Sequence, residues 1–470
     1  MRKTIPFLLL ILPLITLAQE LRLAKGGITD NLIVNDSLKE TMAVYLPSNF
    51  KTSASWPVLF VLDMDGKAKD ALSDFKIAAE NEGYILASSN NLRDTLKLSQ
   101  NILVANRMFN AVTDILPIER GRTYLAGFNG GARFATVVPT FVNKITGVIS
   151  YGASIGNLEV LNSKKPFHYI GIVDREDFNY TESIDVQKAL DRLRFPNQLI
   201  VFDGEGNNST TKNLTTALRI FTLSAMAKGI VAKDETFIDS SYNEFLTEAN
   251  SLFTKKKPLL SNYLLSNMIR AYNPLRNIDS IKTTQKSLKR SKSFRENNRA
   301  KNNYFLKESF TKDDYDYYLE EDVLTYNYNN LGWWNYQMTE LEKIEKSNNP
   351  FEQRMGKRLR SYLNALIEDT IDLISAEKTV DVEALNFLHQ LKTITEPLNY
   401  DYYLKIISNS SKIEDFGTAL FYLEELLKKG YKDMEELYAL DHTALFRITP
   451  EFNEVVEKYL KEARYELNEE

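Results

Sequence analysis

The chain contains no cysteine. That absence removes thiol catalysis and thiolate metal sites, and leaves core burial rather than disulfides to hold the fold together. It also excludes lipid attachment at a new N-terminal cysteine. Histidine is nearly missing as well: only His168, His389 and His442 occur in 470 residues. Each is expected to be a packed or surface residue, because a general base needs hydrogen-bond reach of its nucleophile. An excess of one charge is lacking too. The net charge of −5 argues against a general nucleic-acid binder. The apolar run at residues 6–17 is too short for a comfortable membrane span, which needs about 20 residues.

What stands at the N-terminus has the pattern of a targeting segment. Arg2 and Lys3 precede the apolar run, and Thr16-Leu-Ala18 forms a small-residue cleavage signal before Gln19. Residues 1–18 are therefore expected to be a signal peptide. The mature chain is expected to be exported, periplasmic or secreted, without lipid anchor or membrane span. Its 43% hydrophobic and 26% charged residues fit an ordinary globular protein, and its length suits two or three domains.

From Leu23 to Val231, short apolar runs alternate with amphipathic stretches. The runs predict strands at 41–46, 58–62, 84–88, 123–127, 147–151, 169–173 and 198–202. Helices are predicted at 67–82, 99–116, 132–142, 184–194 and 211–228. The unbroken run Val58-Leu-Phe-Val-Leu62 suits a strand covered on both faces, and the alternation predicts a doubly wound, mainly parallel α/β sheet. After about Lys233 the strand signal fades and helical spacing takes over. The expected division is an α/β domain at 19–235, a helical linker region at 236–310, and an all-α domain of helical hairpins at 311–470. That last part resembles a tetratricopeptide-type array without a clean 34-residue period.

Residues 276–307 carry ten Lys/Arg against Asp279 and Glu296. A solvated helix is the expectation there, with a contact surface for an anionic partner as the bolder reading. Trp333, Trp334 and Tyr336 suggest either a stacking platform for sugar or peptide, or a core between helices, and large rings at this density favour core. Asp63-Met-Asp-Gly66 invites a calcium reading, but further ligands at the required offsets are missing. No metal and no cofactor are expected.

The tightest motif is Tyr124-Leu-Ala-Gly-Phe-Asn-Gly-Gly-Ala-Arg133, a buried strand, a glycine-rich turn and the start of a helix. It resembles the nucleophile elbow G-x-S-x-G of α/β-hydrolases, in the branch of poly(hydroxybutyrate)-depolymerase-like and feruloyl-esterase-like proteins. That branch shows Y-L-A-G-F-S-G-G-A-R at the elbow and F-x-G-G-H ahead of the last helix. Here the elbow matches at nine of ten positions, and the second motif stands as Phe202-Asp-Gly-Glu-Gly206. The resemblance covers roughly 200 residues. It implies the α/β-hydrolase fold and assigns Asn129 to the nucleophile position, Asp174 to the acid and Gly206 to the histidine, with Glu205 in place of a glycine. It also implies an oxyanion hole from the amide of Gly130 and one from the loop after the second predicted strand, at Met64.

Two of the three catalytic positions have thus lost their chemistry. A carboxamide has no ionisable oxygen to activate, so the usual acyl-enzyme cannot form at Asn129. Asparagine does tolerate positive φ, which the elbow tip requires. The expectation is a non-catalytic, esterase-like pocket that holds a small acyl or carboxylate ligand, or a protein partner. Two alternatives stay open. One is an active hydrolase of non-standard arrangement, using Asp174 or Glu205 with Ser150 or Ser154. The other is an interaction module carried by the helical half.

Overall fold

The computed structural model describes residues 23–204 and 208–461. The signal-peptide pattern at 1–18 and the positions Glu205 and Gly206 lie outside the described residues. Eight strands are present among the described residues: β1 (Ile28–Asn35), β2 (Glu40–Tyr45), β3 (Trp56–Val61), β4 (Ile85–Ser89), β5 (Ile118–Phe128), β6 (Gly147–Tyr151), β7 (His168–Asp174) and β8 (Asn197–Phe202). They form one sheet in the order β1-β2-β4-β3-β5-β6-β7-β8. β2 runs antiparallel to β1 and to β4, whereas β3 is parallel to both β4 and β5, and β7 to β8. Helices α1 (Ala68–Glu82), α2 (Leu98–Ile115), α3 (Asn129–Phe141), α4 (Tyr180–Arg192) and α5 (Asn208–Ala227) alternate with the strands. Twelve further α-helices follow among the described residues, from Glu235–Thr254 to Pro450–Leu460. The doubly wound, mainly parallel sheet followed by an all-α region is the expected fold class.

The one strand that the pattern did not predict is β1, Ile-Thr-Asp-Asn-Leu-Ile-Val-Asn. It is a sheet edge with a single buried residue, Leu32, and bulges between Thr29 and Leu32 and between Ile33 and Asn35. An edge strand of this kind needs no apolar run, so hydrophobic patterning has nothing to detect.

The chain forms two compact units. The first comprises the described part of Met1–Ile149 with Thr210–Ala225. Its core is the fully buried Val58, Leu59 and Phe60 of β3, flanked by Leu86 and Leu125. Part of α5 is fixed to it by polar groups at the sheet's rim. The Tyr84 hydroxyl meets the Leu218 carbonyl at 3.1 Å, Arg122 donates to Thr222 at 3.1 Å, and Arg219 pairs with Glu82 at 3.0 Å. Tyr124 stacks on Phe221 at 4.2 Å. The α1 helix stops at Gly83, whose φ of 71° places its amide on the Ala79 carbonyl.

The second unit comprises Ser150–Ser209 and the described part of Met226–Glu470. Its helix starts are written in the sequence: Asp234, Ser291, Asp381, Asp415, Asp433 and Thr449 each accept a hydrogen bond from a first-turn amide. One core gathers Tyr315, Leu319, Trp334, Leu359, Leu363 and Leu388, and another gathers Ile407, Leu423, Leu426 and Phe452.

Candidate functional site

In the first unit β5 passes into α3 without an intervening residue, and the first helical residue is Asn129. Its φ is 46°, the left-handed region that most side chains avoid and asparagine tolerates. The turn is tight because two glycines permit it. A Cβ on Gly127 would lie 2.4 Å from the Gly131 carbonyl carbon, and a Cβ on Gly131 would lie 2.1 Å from the Leu62 carbonyl oxygen. Helix and strand can approach that closely only where no side chain intervenes. Gly130 is different: a Cβ there would face open space. Asn129 and Gly130 are both exposed at the tip. The amide of Gly130 falls in the first turn of α3, where helix geometry supplies no intrahelical acceptor.

Asn129, Gly130 and Met64 line one cleft of about 750 Å³, so three of the residues singled out in the sequence come together. The loop bearing Met64 is held in place from several directions. Asp63 accepts the Lys67 amide at 2.7 Å, and the Met64 carbonyl accepts the Asp94 amide at 3.2 Å. Gly66 has φ 66°, and a Cβ there would collide with the Arg93 guanidinium, which is itself bound to the carbonyls of Asn90 and Leu92.

Of the rest of this lining, Asp63 and Asp65 belong to the loop singled out in the sequence, whereas Asp70, Asp74 and Asp94 were not anticipated. Asp63, Asp65, Asp70, Asp74 and Asp94 all face the cleft, with Lys67 as the one cation among them. Burial, and then the Asp70 charge, push the Asp74 carboxyl above its ordinary range. Asp70 and Asp74 are four apart on α1 and so share a helix face, a spacing visible in the sequence once the helix is placed. Asp94 comes from the loop after β4, and no local pattern predicts its arrival.

In the second unit, Asp174 ends β7. Its Oδ1 accepts the Glu176 amide at 2.8 Å, and its Oδ2 occupies the space where a side chain on residue 204 would begin, 2.1 Å from the position of a Cβ on Gly204. Burial raises its pKa, and the charges of Glu176, Asp203 and Asp177 add to the effect. Next to it, burial also pushes Asp203 upward, but the Arg175 charge and the bonds to Lys257 and Arg175 outweigh this and hold its carboxyl below the usual range. Arg175 donates to Asp203 at 2.5 Å, and Lys257 pairs with the same carboxylate at 3.0 Å.

The loop after β7 is then fastened to the helices. Arg358 donates to the Arg175 carbonyl at 2.7 Å while forming a buried pair with Glu308 at 2.6 Å. Lys357 pairs with Glu176 at 2.8 Å, and Lys312 reaches the Phe178 carbonyl at 3.2 Å. The loop that would present a triad acid is a structural anchorage here.

None of the three histidines has the surroundings of a base. His168 is buried and hydrogen-bonded to Gln198, and burial pushes its pKa down to about 4. His389, buried among the helices beside Tyr402, is pushed down to about 4 by burial and by the Lys405 charge. His442 lies exposed in a turn with φ 63°. The alternative nucleophiles are equally enclosed. Ser150 and Ser154 have no solvent exposure, and the Ser150 hydroxyl is given to the Ala153 carbonyl at 2.7 Å.

The aromatic segment divides. Trp334 is fully buried and donates to the buried carboxylate of Asp322 at 2.8 Å, which also accepts from Asn327 and Asn330. Trp333 packs half-buried against the same core, whereas Tyr336 is 57% exposed. Core packing therefore accounts for both tryptophans. Of the basic segment, most side chains are solvated on helices Asp279–Arg290 and Lys292–Thr325, as expected of a charged face.

No protein-family model matches the sequence, and no curated protein matches it. Among solved structures the chain is similar to a ferulic acid esterase, at 16% identity and TM-score 0.33, covering 42% of this chain and 98% of that one. It is similar to the S-formylglutathione hydrolase of Staphylococcus aureus, at 12% identity and TM-score 0.33, over 42% and 97% of the two chains. A putative dienelactone hydrolase from Klebsiella pneumoniae aligns at 11% identity and TM-score 0.35, over 42% and 98%. Likeness at that level leaves activity open. The strand order stands by itself: the sheet and its flanking helices have the α/β-hydrolase fold, continued by an all-α region.

Proposed function

We propose that this chain is an exported, non-catalytic protein of the α/β-hydrolase fold, whose elbow cleft binds a ligand without cleaving it. The observation that carries the reading is Asn129 at φ 46°, at a tip between Gly127 and Gly131, where any side chain would collide with neighbouring backbone. The bend is kept and the nucleophile is not. The enclosed Ser150 and Ser154, and the anchored loop at Asp174, support the same reading. Export rests on the targeting pattern of residues 1–18.

Of the two ligand classes expected, the cleft's lining favours a neutral acyl group over a carboxylate. Five aspartates against one lysine repel an anion, and each unit charge a few ångströms away weighs about 1–4 kcal/mol at surface dielectrics. The Gly130 amide can still donate to a carbonyl oxygen. The reading is tested by assaying the purified protein with p-nitrophenyl acetate and butyrate. The expected rate equals the uncatalysed one, with or without Asn129→Ala. Turnover that disappears in Asn129→Ala would overturn it.

A second reading makes the helical half a protein-interaction surface. It is favoured by Leu306, Phe310, Tyr317 and Leu324, which are 58–71% exposed and share one face of the helix Lys292–Thr325. Replacing Phe310 and Leu324 by Ser is expected to abolish crosslinking to a partner in the native extract while leaving the Tm unchanged. Undiminished crosslinking would exclude this face.

A further inference from the structure

Close to the anchorage of the β7 loop, four positive side chains, Arg175, Lys301, Arg354 and Arg358, line one small cavity, and no carboxylate is among its described lining residues. Glu308 takes Arg358 at 2.6 Å and Lys312 at 3.2 Å, and Asp203 takes Arg175 and Lys257. Two further cations line the same small cavity and are left short. The Arg354 guanidinium lies 3.7 Å from Asp203, beyond hydrogen-bond distance, and among the described residues it has no hydrogen-bond partner. The Lys301 ammonium is half-buried 5.6 Å over the Phe305 ring, with no carboxylate partner among the described residues. A charge taken out of water with no counterion, as at Lys301, or with a long and shared one, as at Arg354, is costly. Burial, with Arg175 nearby, holds the Arg354 pKa below its ordinary value, and burial, with Lys188 nearby, does the same to Lys301.

The cavity between them has a volume of about 10 Å³ and is walled by the rings of Tyr304, Phe305 and Phe351. That is room for about one atom of water size. Its apolar walls lower the local dielectric and strengthen attraction to an anion.

We propose that this cavity is an anion site, in which Lys301, Arg354 and Arg175 hold a single negatively charged atom. The atom is a halide that enters whole, or one oxygen of a carboxylate or phosphate whose remainder stays in the mouth. Bound there, it joins the helix Lys292–Thr325 to the helix Pro350–Ser375 and to the loop after β7. The site is independent of the elbow and its chemistry.

The test is a set of thermal melts of the full chain in a low-salt HEPES buffer, titrated separately with sodium chloride, acetate and phosphate. At least one anion is expected to raise the Tm with the logarithm of its concentration above its Kd, by ~5 °C at a hundredfold excess. Chloride acting alone identifies the halide form, and acetate or phosphate acting more strongly identifies the oxyanion form. Lys301→Met and Arg354→Met are each expected to lose this rise, and Lys301→Met to melt no lower than the unmodified chain before salt is added. Crystals of the unmodified chain soaked in sodium bromide supply a readout that needs no variant. An anomalous peak between Lys301 Nζ and the Arg354 guanidinium supports the site. Absence of such a rise with all three anions, or an equal rise in both variants, would overturn it.

Discussion

Asn129 combines two properties that a serine would separate. Its side chain suits a left-handed backbone, and it cannot be made a nucleophile by removal of a proton. Asn129→Ser is therefore expected to lower stability by about 1 kcal/mol, read as a urea midpoint, and to produce no esterase activity, since serine without an imidazole is inert. The neighbouring glycines give a sharper contrast. Gly131→Ala must push a methyl against the Leu62 carbonyl and is expected to cost more than ~2 kcal/mol or to abolish folding. Gly130→Ala adds a methyl in open space on a helix and is expected to be neutral or to stabilise by up to ~1 kcal/mol. Equal effects at the two positions, measured by chemical denaturation, would contradict the elbow's geometry. The need for glycine at 127 and 131 was readable in the sequence because a local motif encodes it. Of the acidic lining only Asp63 and Asp65 stood out in the sequence, since Asp94 joins Asp70 and Asp74 only through the fold.

At the scale of elements, the buried parallel strands were legible because each is an apolar run, and the second half was legible as helical because its apolar residues recur at helical spacing. The edge strand β1 was missed for want of such a run, and β5 proved longer than its apolar part, beginning at Ile118 rather than Thr123. The fastening of the β7 loop to helices more than a hundred residues later left no local trace. Arg358 sits in an ordinary amphipathic helix, and only the fold shows it 3% exposed between Glu308 and the Arg175 carbonyl. That pair offers a prediction at its own scale. Arg358→Met leaves the buried Glu308 carboxylate with Lys312 as its remaining partner and is expected to cost about 3 kcal/mol in denaturation midpoints, whereas Arg358→Met combined with Glu308→Leu is expected to regain part of the loss. A double variant as unstable as the single one would show that the pair's charge balance is not what matters.

For the molecule as a whole, the two buried histidines set a pH dependence. Both have folded-state pKa values lowered from 6.5 to about 4, so the unfolded chain binds more protons between those limits. Their contribution is fully present above about 6.5 and is lost as the pH falls toward 4. It amounts to roughly 3 kcal/mol for each at most. Asp174 and Asp177, raised chiefly by burial, act in the opposite sense, and the lowered Asp203 acts at lower pH. The readout is therefore a difference between variants. Urea midpoints at pH 4.5 and 7 are expected to differ less in His389→Gln than in the unmodified chain. An unchanged difference would mean that His389 is not buried neutral.

The central claim is that the cleft holds its ligand and leaves it intact. Intact-mass spectrometry after prolonged incubation with a fluorophosphonate probe tests this most directly, because any activated hydroxyl becomes permanently heavier. The account predicts a single peak at the mass of the untreated chain. A shift by one probe mass, absent after heat denaturation and absent in a variant of a cleft residue, would contradict it.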